Sequence, residues 1–269
     1  MTLGKGKAAA ITDADMAKLA DDLQCHPADL EAIAQVESNG FGWFADGRIK
    51  ILFEKHWFYK RLPDEKRTNA MKSGLARKNW ISPAKGGYKD QAGPDDRYKL
   101  LERAIKVDRE AAFGSVSVGK FQIMGFNHKV CGHQTAEGMF NAFCESEVYQ
   151  LSAFAGFLVN KGLVKAIRAR DFDAVEKGYN GGGLNGAYAR KMKAASDKLR
   201  AGKWKDYRPG SKSNLGITPK PSEPSVLEPK APDLGITPSA KIEQGPVPSG
   251  NWLAGIIAAI AKLFSRSGK

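Results

Sequence analysis

Nine of the thirteen prolines in this 269-residue chain, Pro209 through Pro248, fall between Arg208 and Ser249. A proline ring fixes φ and removes a backbone donor, so neither helix nor sheet can run through such a stretch. The same stretch has no large aromatic residue and no helical apolar period. It reads as a disordered linker over 208–249, in which the pentapeptide Leu-Gly-Ile-Thr-Pro, starting at Leu215 and again at Leu234, is a duplicated spacer. That linker divides the chain. Residues 1–207 must supply the folded domain, and residues 250–269 form a separate appendage.

Within 1–207 the signals are mostly helical. Pro27 suits a first helical position, Asp29 places an acid in the first turn and Gly40 supplies a stop, which predicts a helix from Pro27 to Asn39. From Gly42 to Phe53 an Asp46-Gly47 turn signal is followed by Ile49, Ile51 and Phe53 on one face, which predicts a short β-hairpin. Further helices are expected over Asp95–Ala112, Thr135–Lys161, Asp171–Lys177 and Asn185–Leu199. The expected class is α+β, mainly α-helical.

The formal charge of +13 predicts attraction to a polyanion: nucleic acid, an anionic membrane or the acidic bacterial wall. Basic residues alternate with acidic ones and no nucleic-acid-binding module appears, so nucleic acid is not an expected partner. Cys25, Cys131 and Cys144 are odd in number and widely spaced, which offers no disulfide framework and suits a reducing cytoplasm. Residues 1–10 lack the apolar core of a secretory signal, so synthesis in the cytoplasm is expected, with another agent giving access to any substrate outside it.

In the first helix Leu30, Ile33, Ala34 and Glu37 stand at i, i+3, i+4 and i+7, so the Glu37 carboxylate shares the stripe that must face the core. Desolvation raises a carboxyl pKa, and a glutamic acid kept protonated near neutral pH is what protonation of a glycosidic oxygen requires. On the helix alone, Glu37 can equally bend back to solvent or cap the turn at Ser38-Asn39. Three further blocks follow it: Asp46-Gly47-Arg48-Ile49-Lys50-Ile51-Leu52-Phe53-Glu54-Lys55-His56, then Gly119-Lys120-Phe121-Gln122-Ile123-Met124, then Tyr179-Asn180-Gly181-Gly182.

With Gln35-Val36-Glu37-Ser38-Asn39-Gly40, these blocks in this order resemble the N-acetylmuramidase family of phage endolysins, within the lysozyme-like superfamily, over roughly residues 20–200. The resemblance implies a lysozyme-like catalytic domain that cuts peptidoglycan, with Glu37 as the catalytic acid, Gln122 lining the cleft beneath the sugar, and Tyr179 with Asn180 closing it near the acid. Val118 and Lys120 stand where the family usually has Trp and an apolar residue ahead of Phe121. Glycoside hydrolysis usually needs a second carboxylate. Asp46, in the expected hairpin turn, is preferred, although Asp-Gly is also what a tight turn demands by itself. Glu54 comes next, as a residue of the substrate site, with a structural partner or a helix cap as its other reading.

His128, Cys131, His133 and Cys144 match no usual zinc spacing, so no metal and no cofactor are expected. Of the aromatic group Trp43, Phe44, Trp57, Phe58 and Tyr59, most is expected in the core. Beyond the linker, Trp252, Leu253, Ile256, Ile257, Ile260, Leu263 and Phe264 fall within about 140° of a helical wheel. Thirteen residues rise only about 20 Å, so residues 252–264 are expected to lie on an anionic bacterial membrane, not to span it, with packing onto the domain as the other reading. The chain is thus expected to be a monomeric muramidase that cleaves between N-acetylmuramic acid and N-acetylglucosamine and lyses bacteria. The other readings are a lytic transglycosylase and a noncatalytic, membrane-active antimicrobial protein.

Overall fold

The computed structural model describes residues 2–38, 40–180 and 185–208. The expected linker beyond Arg208 and the expected terminal helix lie outside the described residues, as do Gly181 and Gly182. In chain order the elements are α1 (Asp13–Asp22), α2 (Pro27–Ser38), β1 (Ile51–Phe53), α3 (Lys55–Arg61), α4 (Asp64–Lys72), α5 (Pro94–Val107) and α6 (Arg109–Gly114). There follow β2 (Val116–Val118), β3 (Ile123–Met124), α7 (Ala136–Glu145), α8 (Glu147–Asn160), α9 (Val164–Arg168), α10 (Phe172–Asn180) and α11 (Ala187–Ala201). This is the mainly helical α+β class that the sequence pattern predicts.

Helix α2 begins at Pro27, as the proline requires, and its end is closed by Gly40, which takes a left-handed φ of 77° and returns its amide to the Ala34 carbonyl. Leu30, Ile33 and Ala34 are fully buried. The helix packs along α11, and a buried charge cluster fixes the register between them. Asp29, 1% exposed, accepts hydrogen bonds from Ser196 Oγ and from two nitrogens of Arg200. Beside it Glu31 accepts from Trp204 Nε1 at 2.7 Å. A carboxylate at that depth is tolerable only because donors surround it.

Two helices expected to be continuous are broken. Asp108 separates α5 from α6 with an extended backbone, and its carboxylate accepts from the Ala111 amide at 3.0 Å. Ser146 does the same between α7 and α8, where its hydroxyl accepts from the Val148 amide. Each residue ends one helix and caps the next, which satisfies a backbone donor that a kink would leave orphaned.

The expected Gly42–Phe53 hairpin is only partly formed. Its Asp46-Gly47 turn exists, with Trp43 bridged to Ile49 and the Phe44 amide 2.9 Å from the Arg48 carbonyl. The arm ahead of the turn is too short to pair with the rest, because the chain has only just left α2. Strand β1 instead pairs antiparallel with β2, and β2 with β3, giving a three-stranded sheet in the order β1-β2-β3. The outer edge of β1 is covered by side chains. Gln91 pairs with both the amide and the carbonyl of Phe53 at 2.8 Å, and Arg97 donates to the Ile51 carbonyl.

Candidate active site

Strand alternation divides the sheet into two faces. Ile51, Phe53, Val116, Val118 and Ile123 are 0–3% exposed and belong to the core. By period and by cross-strand pairing, Lys50, Leu52 and Glu54 lie on the other face, together with Ser117 and Met124. This face begins at the C-terminal end of α2, where Lys50 Nζ donates to the Ser38 carbonyl at 2.7 Å. A lysine there meets the negative end of the helix.

Glu37 is the second-last residue of α2 and is half-buried. The backbone that carries it is held at both ends of the helix, by the Asp29 cluster at the start and at the finish by Ser38. Ser38 Oγ donates to the Lys120 carbonyl at 2.7 Å, which ties α2 to the β2–β3 turn. Two tyrosines from distant elements lie near enough to feel the charge of the acid. Burial, and then the charge of Glu37, push the phenol of Tyr179 far above its ordinary range, and the same two causes, followed by Glu176, raise that of Tyr188. Both phenols therefore stay neutral beside the carboxyl. Tyr179 is fixed by donating to the Phe121 carbonyl at 2.6 Å and by edge-on contacts with Phe154 and Phe157, while Phe121 stacks flat on Phe154 at 4.1 Å.

The turn from Gly119 to Gln122 joins these parts. Gly119 and Gln122 both have left-handed backbones, with φ of 77° and 46°. A Cβ at Gly119 would stand 2.4 Å from Gln150 Oε1, so glycine is required there. The left-handed Gln122 is held by its own side chain, whose Nε2 donates to the Gly119 carbonyl while its Oε1 accepts from Ser117 Oγ, both at 2.9 Å. Gln122 thus braces the turn from the open face. Lys120 is explained by a buried partner, since its Nζ lies 2.9 Å from Glu147, a 3%-exposed acid that also accepts from the amides of Ile11 and Gly42.

The remaining sequence candidates are dispersed. Glu54 directly follows β1 on the open face, ahead of α3, with its side chain only 12% exposed. It accepts from the Tyr88 hydroxyl, 2.9 Å from both oxygens, and lies 3.2 Å from His56 Nδ1. Asp46 sits in its turn at 39% side-chain exposure. Arg48 grips it with both side-chain and backbone donors, and that hydrogen bonding, side chain first, holds its carboxyl below the usual carboxylate range. Arg48 also pairs with Asp95. Asn180 closes α10, and its side chain lies outside the described residues. His128 hydrogen-bonds through Nδ1 to the His133 carbonyl, and burial pushes the Cys131 and Cys144 thiols up to about 12. Tyr188, Tyr88 and Ser117 join the site without any signal in their local sequence. Each is brought in by packing between segments far apart in the chain.

A half-buried glutamate at a clamped helix end, beside the open face of a small sheet, is the arrangement of a lysozyme-like glycosidase-type hydrolase. Residues 26–200 match the family model for N-acetylmuramidase. The Burkholderia AP3 phage endolysin, among solved structures, is 32% identical to this chain, with a TM-score of 0.59 and 71% of each chain covered. No curated protein sequence gives a match. The chain belongs to the N-acetylmuramidase family and is a peptidoglycan hydrolase with an endolysin-type fold.

Proposed function

We propose that the protein hydrolyses the β-1,4 bond between N-acetylmuramic acid and N-acetylglucosamine, with Glu37 as general acid, and that it acts as a bacteriolytic endolysin. The observation that carries this reading is the setting of Glu37, half-buried near the end of a helix that is clamped at both ends and with two tyrosines near enough to feel its charge. In the step proposed, Glu37 protonates the glycosidic oxygen as the C1–O bond breaks, and the electron pair leaves with the oxygen. A carboxylate on the sheet face stabilises the positive C1 centre. Water then adds at C1 and gives its proton to the Glu37 carboxylate, which restores the acid, so the net change is the addition of one water. Of the two candidate carboxylates, Glu54 fits this role better than Asp46, the one favoured by turn position alone. Glu54 shares the open face with Ser117 and is held by the hydroxyl of Tyr88, whereas the charge of Asp46 is neutralised by Arg48. Mass spectrometry of digested peptidoglycan tests the bond and the reaction. Reducing N-acetylmuramic ends are expected. Products ending in 1,6-anhydro sugar would make the enzyme a transglycosylase, and reducing N-acetylglucosamine ends would move the cut to the other bond.

From sequence alone, residues 252–264 are proposed to bring the protein to anionic membranes. Seven large apolar side chains on one arc contribute up to roughly 1.5–3 kcal/mol each when buried, less the cost of ordering the helix. A chain ended at Arg208 is expected to digest purified peptidoglycan about as fast as the full chain and to lose binding to anionic lipid vesicles. Vesicle binding unchanged by the truncation would assign the attraction to the domain's own positive charge.

A further inference from the structure

Trp80 is 49% exposed, yet its ring is not free to swing, because Nε1–H donates to the Tyr88 hydroxyl at 2.9 Å. Tyr88 in turn donates to Glu54, and the guanidinium of Arg77 lies over the Tyr88 ring, 5.7 Å from its centre. The loop between Trp80 and Tyr88 is closed on itself. The amides of Lys85 and Gly87 both donate to the Ser82 carbonyl at 3.0 Å. A Cβ at Gly87 would stand 2.0 Å from the Ile81 carbonyl oxygen, so the backbone packs directly against the residue after Trp80 and only glycine fits. Beyond Tyr88, Gln91 anchors the loop to Phe53. The indole is therefore set in place relative to Glu54 before any ligand arrives, so little ordering cost remains to be met on binding.

Its place in the fold indicates what it meets. Glu54 lies on the open face with Leu52 and Lys50, and Lys50 Nζ donates to the Ser38 carbonyl, next to Glu37. Trp80 reaches Glu54 through the Tyr88 hydroxyl. Ile81, 38% exposed, adds apolar surface next to it. A β-1,4-linked aminosugar presents C–H groups on the flat faces of its ring and polar groups around its rim. A fixed indole matches that surface, offering a large apolar face with a polar edge that already has a partner.

We infer that Trp80 is a sugar-stacking platform for an N-acetylated aminosugar of the glycan strand, on the Glu54 side of the bond that Glu37 cleaves. The inference rests on the glycan-cleaving reading above, and the link through Tyr88 to Glu54 assigns the platform to the same strand. The test uses the full chain carrying Glu37→Gln, titrated with the β-1,4-linked N-acetylglucosamine hexasaccharide and followed by calorimetry and tryptophan fluorescence. Adding Trp80→Ala is expected to weaken binding about tenfold and to remove most of the fluorescence change. Trp80→Phe, which keeps an aromatic face, is expected to retain most of the affinity. Equal affinity with and without Trp80→Ala would overturn the platform. A Glu37→Gln protein that does not bind the hexasaccharide at all would overturn the glycan reading itself, and the platform with it.

Discussion

Glu37→Gln is expected to lower the turnover of purified peptidoglycan by on the order of 10²- to 10⁴-fold while the fold stays intact. Glutamine keeps the shape of the side chain but has no proton to donate to a departing sugar oxygen. The fold should be unaffected because α2 is held by other residues: Asp29 with Arg200 and Ser196 at one end, Ser38 with Lys120 and Lys50 at the other. A thermal melt that matches the wild type, together with the rate loss, separates chemistry from unfolding. A variant with more than a tenth of normal activity would remove Glu37 from the role of acid.

The second large effect is expected at Glu54. Glu54→Gln should cost about 10²-fold or more in turnover, and Asp46→Asn only a few-fold, since Asp46 is half-exposed and neutralised by Arg48. The comparison is fair structurally. The Gln oxygen can still accept from Tyr88, and Asn can still accept from the Arg48 amide that closes the turn. Loss of activity in the Asp46 variant alone would make Asp46 the second carboxylate and leave Glu54 as a structural partner of Tyr88.

What the sequence makes legible here is local. The bounds of α2 follow from Pro27 and Gly40, and the half-burial of Glu37 follows from its place on the stripe with Leu30, Ile33 and Ala34. The ordered blocks around Glu37, Gln122 and Tyr179 identify the family, since each block comes from one short segment. The strand partner of β1 is not legible, because Ile51–Phe53 pairs with Val116–Val118 across more than sixty intervening residues and the nearby turn signal points elsewhere. The breaks at Asp108 and Ser146 were signalled only weakly. Each is a good N-cap residue, but a cap contributes only about 1 kcal/mol, and apolar periodicity on both sides reads as one helix. Trp80, Tyr88 and Tyr188 acquire meaning only through contacts with Glu54 and Glu37, made across tens of residues and more.

The most direct test of the central claim is digestion of purified peptidoglycan in ¹⁸O-labelled water, with the released fragments weighed by mass spectrometry for the wild type and for Glu37→Gln. Water-dependent cleavage with Glu37 as acid predicts one ¹⁸O at each new reducing N-acetylmuramic end and almost no labelled product from the variant over the same time. Unlabelled 1,6-anhydro products from the wild type, or full labelling by the Glu37→Gln protein, would contradict it.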